Sequence, residues 1–316
     1  MAILDRLKQD YPLAPLATFK VGGPAEYYLE VRDKLELSEA YDWAHANGQT
    51  IFILGGGSNI LISDQGIKGL VLKIKNEGIV PRSERLDCGA GANLNRAMYL
   101  AAGENLSGLE WSAGIPGATV GGAVRGNAGA FGLAMSDVVE TVEVFDQRQG
   151  IYKIFSAKDC QFGYRQSIFS AHPDFLIWQV ILKLKKDQPE LIQERIEKNL
   201  NFRRLKQPNL PSAGSIFKNF SWSELEKINP RLAKQAVADE VVRDNWVPAG
   251  WLIEQVGLKG KKIGDAKISL EHANFIVNTG KATAEDIWKL ISLIKNTLKI
   301  ELGVNLEEEV RCFGFD

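Results

Sequence analysis

Short strand-like runs alternate with amphipathic helices along this chain, and the alternation breaks near the middle at a stretch that fits neither period. Near the N-terminus, Thr18–Val21 and Glu26–Val31 read as strands around a Gly22-Gly23-Pro24 turn. Asp33 and Glu36 make a capping-box-like start to a helix over 34–47. Leu37, Ala40, Tyr41 and Ala44 share one face of it, and Asn47-Gly48 supplies the stop. Thr50–Leu54 predicts a strand running into Gly55-Gly56-Gly57-Ser58-Asn59, followed by the β-prone Ile60-Leu61-Ile62. Further strands are expected at Leu70–Ile74 and Arg85–Cys88, then a helix over 94–102 capped by Asn93 and closed by Gly103. Past the middle, Val138–Phe145, Tyr152–Phe155 and Leu176–Leu184 read as strands, the last with alternate residues on one apolar face. Lys185–Pro189 reads as a linker, and Pro189 opens a helix through 204. The charged segment 220–246 is expected to be partly helical, and Trp251–Glu254 to open a helix stopped near Gly257. Thr283 caps a long helix to about 302, with Ile287, Leu290, Ile291, Ile294 and Leu298 as its buried stripe. Val304–Arg311 is the expected closing strand.

The stretch that breaks the pattern is Trp111–Gly132, with seven of the 30 glycines, no acidic residue and a single basic one, Arg125. Each interior Gly costs a helix about 0.5–1 kcal/mol relative to Ala, which argues against an ordinary helix. A loose linker would leave Trp111, Ile115, Val120, Val124 and Phe131 in water. A close-packed loop whose bare backbone lies against something large and flat fits better, its N–H groups serving an anionic or carbonyl-rich partner. Tight turns in a β-rich core remain the alternative. Gly55–Asn59 lacks the β–turn–helix context of a dinucleotide-binding GxGxxG unit. It suits a nest of N–H groups around a diphosphate, or an ordinary hairpin turn.

Composition narrows the class. At 316 residues the chain is long enough for two or three domains with real cores. A formal net charge of −1 offers no basic surface for nucleic acid. Cys88, Cys160 and Cys312 are far apart and read as reduced thiols of a cytosolic chain, with no Cys/His cluster for a metal. The start, MAILDRLKQDYPL, lacks the features of a signal peptide, and no apolar run approaches the ~20 residues of a membrane span. A soluble, cytoplasmic protein is expected.

No GxSxG elbow or triad spacing is present, and His45, His172 and His272 are scattered. The polar residues that fit no face are Arg165, Lys206, Ser215, Lys218, Asn219 and Glu307, each near a turn, where surface or capping roles compete with chemistry.

Nine blocks in fixed order carry a resemblance: TFKVGGPAEYYLEV, ILGGGSNILISD, GLEWSAGIPG, NAGAFG, FGYRQSIF, SAGSIFKN, AGWLIEQVGLKG, HANFIVN and LEEEVR. Together, from about Thr18 to Arg311, they resemble the UDP-N-acetylenolpyruvoylglucosamine reductase family, flavoenzymes of cell-wall precursor synthesis. The resemblance implies an α+β fold with a vanillyl-alcohol-oxidase-type FAD-binding part of two lobes and a C-terminal α+β substrate-binding domain. The corresponding spans are 1–70, 71–187 and 188–316, the last returning Glu307 to the active site by its C-terminal strand. It implies non-covalent FAD, NADPH as co-substrate, UDP-N-acetylglucosamine enolpyruvate as substrate, and a monomer. Gly55, Gly56, Gly57, Ser58 and Asn59 then match the pyrophosphate loop. Ala113, Gly114, Ile115, Pro116 and Gly117, with Asn127 and Gly129, match the loop against the flavin ring and ribityl chain. Ser215 matches the general acid, Arg165 and Glu307 the other catalytic residues, and Tyr164, Lys206, Asn219 and Lys259 the nucleotide-sugar positions.

With those roles, hydride from NADPH passes through the flavin to the terminal enolpyruvyl carbon, Arg165 meets the developing carboxylate charge, and Ser215 protonates the adjacent carbon. A serine hydroxyl is a poor acid, so Lys218 or backbone donors must support it. The chain departs from the family pattern in carrying both Ala118 and Thr119 before VGGA, in Arg125-Gly126 before Asn127, and in a long 220–246 segment. The alternatives are a carbohydrate or alcohol oxidase on the same flavin fold, and a non-catalytic nucleotide-sugar binder. The first lacks a His or Cys for a covalent flavin link in the glycine loops, and the second would not need Ser215 and Arg165.

Overall fold

The computed structural model describes residues 3–315, so Met1, Ala2 and Asp316, which belong to the expected outer spans, lie outside it. Two compact units interleave along the chain. The first comprises Met1–Tyr11, Ala25–Gly57 and Ile67–Arg203; the second comprises Pro12–Pro24, Ser58–Gly66 and Arg204–Asp316. Compactness thus divides the chain otherwise than the expected spans 1–70, 71–187 and 188–316 do. The reason is packing: Phe19, Val21 and Leu61 sit in the second unit's core, while Ile192 and Ile196 of helix Pro189–Lys206 sit in the first's.

The first unit holds two larger sheets. One orders Lys8–Pro12, Pro24–Val31, Ile67–Ile74 and Ile51–Leu54, with Ile67–Ile74 parallel to both of its neighbours. The other is antiparallel, ordered Ile151–Ser156, Val139–Asp146, Phe175–Lys183, Arg85–Gly89 and Ile79–Arg82. Helix Lys34–Ala46 is capped by Asp33, whose carboxylate accepts from Glu36 N at 2.9 Å, and Asn93 caps Leu94–Gly103 through Arg96 N in the same way. Lys185-Lys186, expected as a linker, form a two-residue strand against Leu106–Ser107.

The glycine-rich stretch is not all loop. Val120–Arg125 is a short helix, contrary to expectation, with Thr119 as its N-cap. Packing overrides propensity here. A Cβ on Gly121 would lie 2.7 Å from Ala90 Cβ, so the missing side chain lets the helix press onto the end of a strand. Trp111, Val120 and Val124 are buried as expected, whereas Phe131 is 46 % exposed and meets Phe202 edge-on.

In the second unit a three-stranded antiparallel sheet, Lys262–Ile263, Ala266–Ile268 and Ile276–Asn278, packs with helix Ala284–Leu302. That helix has the expected capping box of Thr283 and Asp286, its five stripe residues are buried, and Gly303 ends it at φ 75°. Segment 220–246 is partly helical, in Trp222–Ile228 and Pro230–Ala238. Two expected strands fail. Thr18–Val21 is a turn, with Lys20 at φ 59°. Of Val304–Arg311 only Arg311 is in a strand, Arg311–Phe313, which pairs in parallel with Ile60–Ile62. Val304, Leu306 and Val310 are still buried, and the segment pairs with Phe217 only through an isolated bridge at Glu308.

Candidate active site

In the first unit, the two glycine loops lie backbone to backbone. Strand Ile51–Leu54 delivers Gly55, Gly56 and Gly57, the last at φ 70°. A Cβ on Gly56 would fall 1.6 Å from the carbonyl oxygen of Gly117, and one on Gly55 2.8 Å from Thr119 Oγ1. Glycine is therefore required at Gly56 for the loops to meet. Thr119 thus caps a helix and flanks the turn.

Around this seam, Ala113 is buried, Gly114 (φ 81°) rests on the Leu200 and Arg203 side chains, and the Ile115 carbonyl accepts from Asn95 Nδ2 at 2.8 Å. Pro116 leads into Gly117 at φ 67°. Asn127 is buried at φ 41°; its amide donates to Gly163 O and accepts from Ser136 N, both at 2.9 Å. The Tyr164-Arg165 turn is held to the same loop by Arg165 Nη2 donating to Gly129 O at 2.9 Å. Arg165 adopts φ 54°, an uncommon conformation for a non-glycine residue, with its guanidinium beside the Tyr164 ring. The structure thus brings together Gly55–Gly57, Ala113–Gly117, Asn127, Gly129, Tyr164 and Arg165 in one unit.

Arg203 joins them without having been singled out in the sequence. Its Nη2 donates to Trp111 O at 3.0 Å, and its guanidinium stands over the Phe131 ring. Burial and then the neighbouring Arg165 charge push its pKa down to about 10. Arg203 Nε and Trp111 Nε1 are buried donors with no hydrogen-bond partner. Donors left over beside a bare backbone seam suit a flat, acceptor-rich, anionic group, which fits a flavin dinucleotide. No periodicity marks Arg203, since it stands in the last turn of helix Pro189–Lys206 beside the polar Arg204 and Lys206.

Ser58 and Asn59 belong to the second unit, because the chain passes from one unit into the other within the turn. Asn59 Nδ2 donates to Glu309 O at 3.1 Å, so this amide holds the C-terminal segment.

Ser215 lies half-buried on a strip laced from both sides. Ile216 N donates to Asn274 O at 2.8 Å, and the buried Asn274 side chain accepts from Phe217 N and donates to Phe217 O. On the other side, Lys218 N donates to Glu307 O and Glu309 N to Ile216 O. Lys218 Nζ reaches Glu307 Oε2 at 3.1 Å, with the Glu307 side chain 78 % exposed. Gly214 (φ 76°) leaves open space next to Ser215. Asn219 Oδ1 accepts from Ala249 N at 3.3 Å, at the start of helix Ala249–Gln255. Ser215, Lys218, Asn219 and Glu307 are therefore on one laced strip. Lys259 pairs instead with Glu254 at 2.8 Å, and Lys206 is exposed at the end of its helix; no hydrogen bond among the described residues ties either to the strip. Asn274 is the residue that sequence reasoning passed over, although its motif HANFIVN was visible.

Residues 25–154 match the family described as "FAD binding domain", and residues 206–313 match "UDP-N-acetylenolpyruvoylglucosamine reductase, C-terminal domain". The chain is 42 % identical over 312 residues to a UDP-N-acetylenolpyruvoylglucosamine reductase from Synechococcus sp. (strain JA-3-3Ab), covering 98 % of this chain and 92 % of that one. A protein of the same name from Moorella thermoacetica is 37 % identical over 305 residues, 96 % of this chain and 92 % of its own. The crystal structure of the reductase from Thermus caldophilus superposes with a TM-score of 0.78 at 35 % identity, covering 98 % of this chain and 99 % of that chain. Fold and site together define an FAD-dependent oxidoreductase of α+β class, as expected. More narrowly, the chain belongs to the UDP-N-acetylenolpyruvoylglucosamine reductase family.

Proposed function

We propose that this chain reduces the enolpyruvyl group of UDP-N-acetylglucosamine enolpyruvate, giving UDP-N-acetylmuramate, with NADPH as reductant and non-covalent FAD. The observation that carries the reading is the backbone seam of Gly55–Gly57 against Gly117, flanked by unused donors, in a member of this family. FAD, when bound, would supply the hydride chemistry that links NADPH to the enolpyruvyl group. The turn Gly55–Asn59 is assigned to the diphosphate, and Ala113–Gly117 with Asn127 and Gly129 to the ring and ribityl chain. No covalent link is proposed: the glycine loops hold no Cys or His, and burial raises the thiols of Cys88 and Cys160 to about 12 and Cys312 to about 11.

Arg165 is assigned to the carboxylate of the substrate. Its guanidinium stays charged, is already oriented by the Gly129 carbonyl, and meets the charge that builds there as hydride arrives. Ser215 gives its hydroxyl proton to the carbon next to that carboxylate. Lys218, paired with Glu307, adds positive charge to the strip on which the serine alkoxide would form. Tyr164, Lys206, Asn219 and Lys259 are assigned to the nucleotide sugar.

The test is optical. The purified protein is expected to be yellow, to bleach with NADPH, and to regain its colour on anaerobic addition of the enolpyruvyl substrate. Recolouring by oxygen alone, with the enolpyruvyl substrate inert, would point to an oxidase instead.

A further inference from the structure

Lys73 has no part in the roles assigned so far. It stands on strand Ile67–Ile74, in register with Leu54, the last residue before the glycine turn. Its ammonium donates to the carbonyl oxygen of Gly55, and among the described residues it has no other hydrogen-bond partner and no carboxylate in ion-pair contact. The residue is half-buried, and burial lowers its pKa. An ammonium taken from water for one backbone carbonyl is a costly arrangement, and it asks for a use.

The peptide it grips supplies one. Gly55 and Gly56 flank that peptide, neither has a Cβ, and rotation of the unit between them meets little steric resistance. One orientation turns the Gly55 carbonyl toward whatever the turn binds, and the other turns the Gly56 N–H there. In a trans peptide the two groups point in opposite directions, and no cis bond occurs among the described residues. Lys73 holds the carbonyl on the strand side. The Gly56 N–H then faces the other way and has no hydrogen-bond partner among the described residues.

We propose that Lys73 is a positioning residue for the cofactor diphosphate: it locks the Gly55–Gly56 peptide with its carbonyl turned away and its N–H presented to the anion. This rests on the reading of Gly55–Asn59 as the diphosphate turn. It predicts a loss specific to the diphosphate-bearing half of FAD, which a general packing role would not produce.

The experiment titrates the full-length, flavin-stripped protein with FAD and with riboflavin, which has the same ring system and no phosphate, by flavin fluorescence. Lys73→Met is expected to weaken FAD by about tenfold, as for one misaligned hydrogen bond to an anion, and riboflavin by less than about twofold. Lys73→Arg, which keeps a long cationic donor, is expected to restore most of the difference. Should Lys73→Met fail to fold, Lys73→Gln, shorter and uncharged, is read in its place. Gly57→Ala, which strains a φ of 70°, is the control for the turn itself and is expected to weaken FAD selectively. If Gly57→Ala does so and the Lys73 variants do not, the lock is overturned and the turn assignment stands. If none of them discriminates FAD from riboflavin, the turn assignment falls and the lock with it. Equal weakening of FAD and riboflavin by Lys73→Met overturns the lock in favour of a scaffold role.

Discussion

Where the first unit gives its candidate ligand mainly backbone, the second gives side chains. Gly55–Gly57, Ala113–Gly117 and Gly129 contribute N–H and C=O groups whose placement depends on two loops touching with no Cβ between them. Ser215, Lys218, Asn219 and Glu307 contribute hydroxyl, ammonium, amide and carboxylate groups on a strip that Asn274 and the 307–309 backbone hold straight. A backbone cradle suits a group that stays bound and needs no proton from the protein. A strip of titratable and hydroxyl side chains suits a substrate that must be protonated once and released. On the proposed reading, the difference fits cofactor binding chiefly by the first unit and a proton step served by the second.

The largest expected effect that sharpens this comparison is at Ser215. Ser215→Ala is expected to lower turnover by about 10²–10⁴, the usual worth of a positioned general acid, while the flavin content of the purified protein stays normal. The mirror-image substitution is Gly56→Ala, whose Cβ would meet Gly117 O at 1.6 Å. It is expected to weaken FAD by roughly 10–100-fold, the cost of a forced overlap, with the second unit's fold unaltered by circular dichroism. Normal flavin content in Gly56→Ala would break the comparison from the cofactor side.

Much of this was legible in the chain, and the exceptions share a cause. Helix Ala284–Leu302 was readable because its cap, stripe and stop are all local. The pairing of Ile60–Ile62 with Arg311–Phe313 was not, since neither run names a partner so distant in sequence. Gly121 and Gly122 argue against a helix by propensity, and only the approach to Ala90 explains why one forms there. In the site, ordered motifs picked out Ser215, Arg165 and the glycine turns. Arg203 and Asn274 make their contacts with residues far along the chain and Lys73 with a turn 18 residues earlier, and of the three only Asn274 lies in a motif the sequence showed.

Asn274 yields the next smaller effect. Its amide satisfies both backbone groups of Phe217 in a buried setting, so Asn274→Ala is expected to cost about 1–3 kcal/mol in urea denaturation. Turnover is expected to fall with flavin content unchanged, and loss of flavin in this variant would mean that the strip does not serve the proton step alone.

The smallest effect is in the pH dependence of stability. Burial lowers the pKa of His272, and its Nδ1 accepts from Asn274 N at 3.2 Å, which needs the neutral ring. Below about 6.5 the unfolded chain takes up a proton that the folded His272 resists, so stability is full above that pH and falls as pH drops, by at most about 1.4 kcal/mol per unit. His272→Gln is expected to show a shallower acid decline of the urea midpoint between pH 7.5 and 5. Identical declines would remove His272 from the support of the strip.

The central claim, that Ser215 serves only the half-reaction that follows flavin reduction, is tested most directly by stopped-flow absorbance on Ser215→Ala, with the two half-reactions followed separately. The account predicts that NADPH bleaches the flavin at near the unaltered rate, while recolouring by the enolpyruvyl substrate slows by about 10²–10⁴. A recolouring rate equal to that of the unaltered protein, or an equal slowing of both phases, would contradict it.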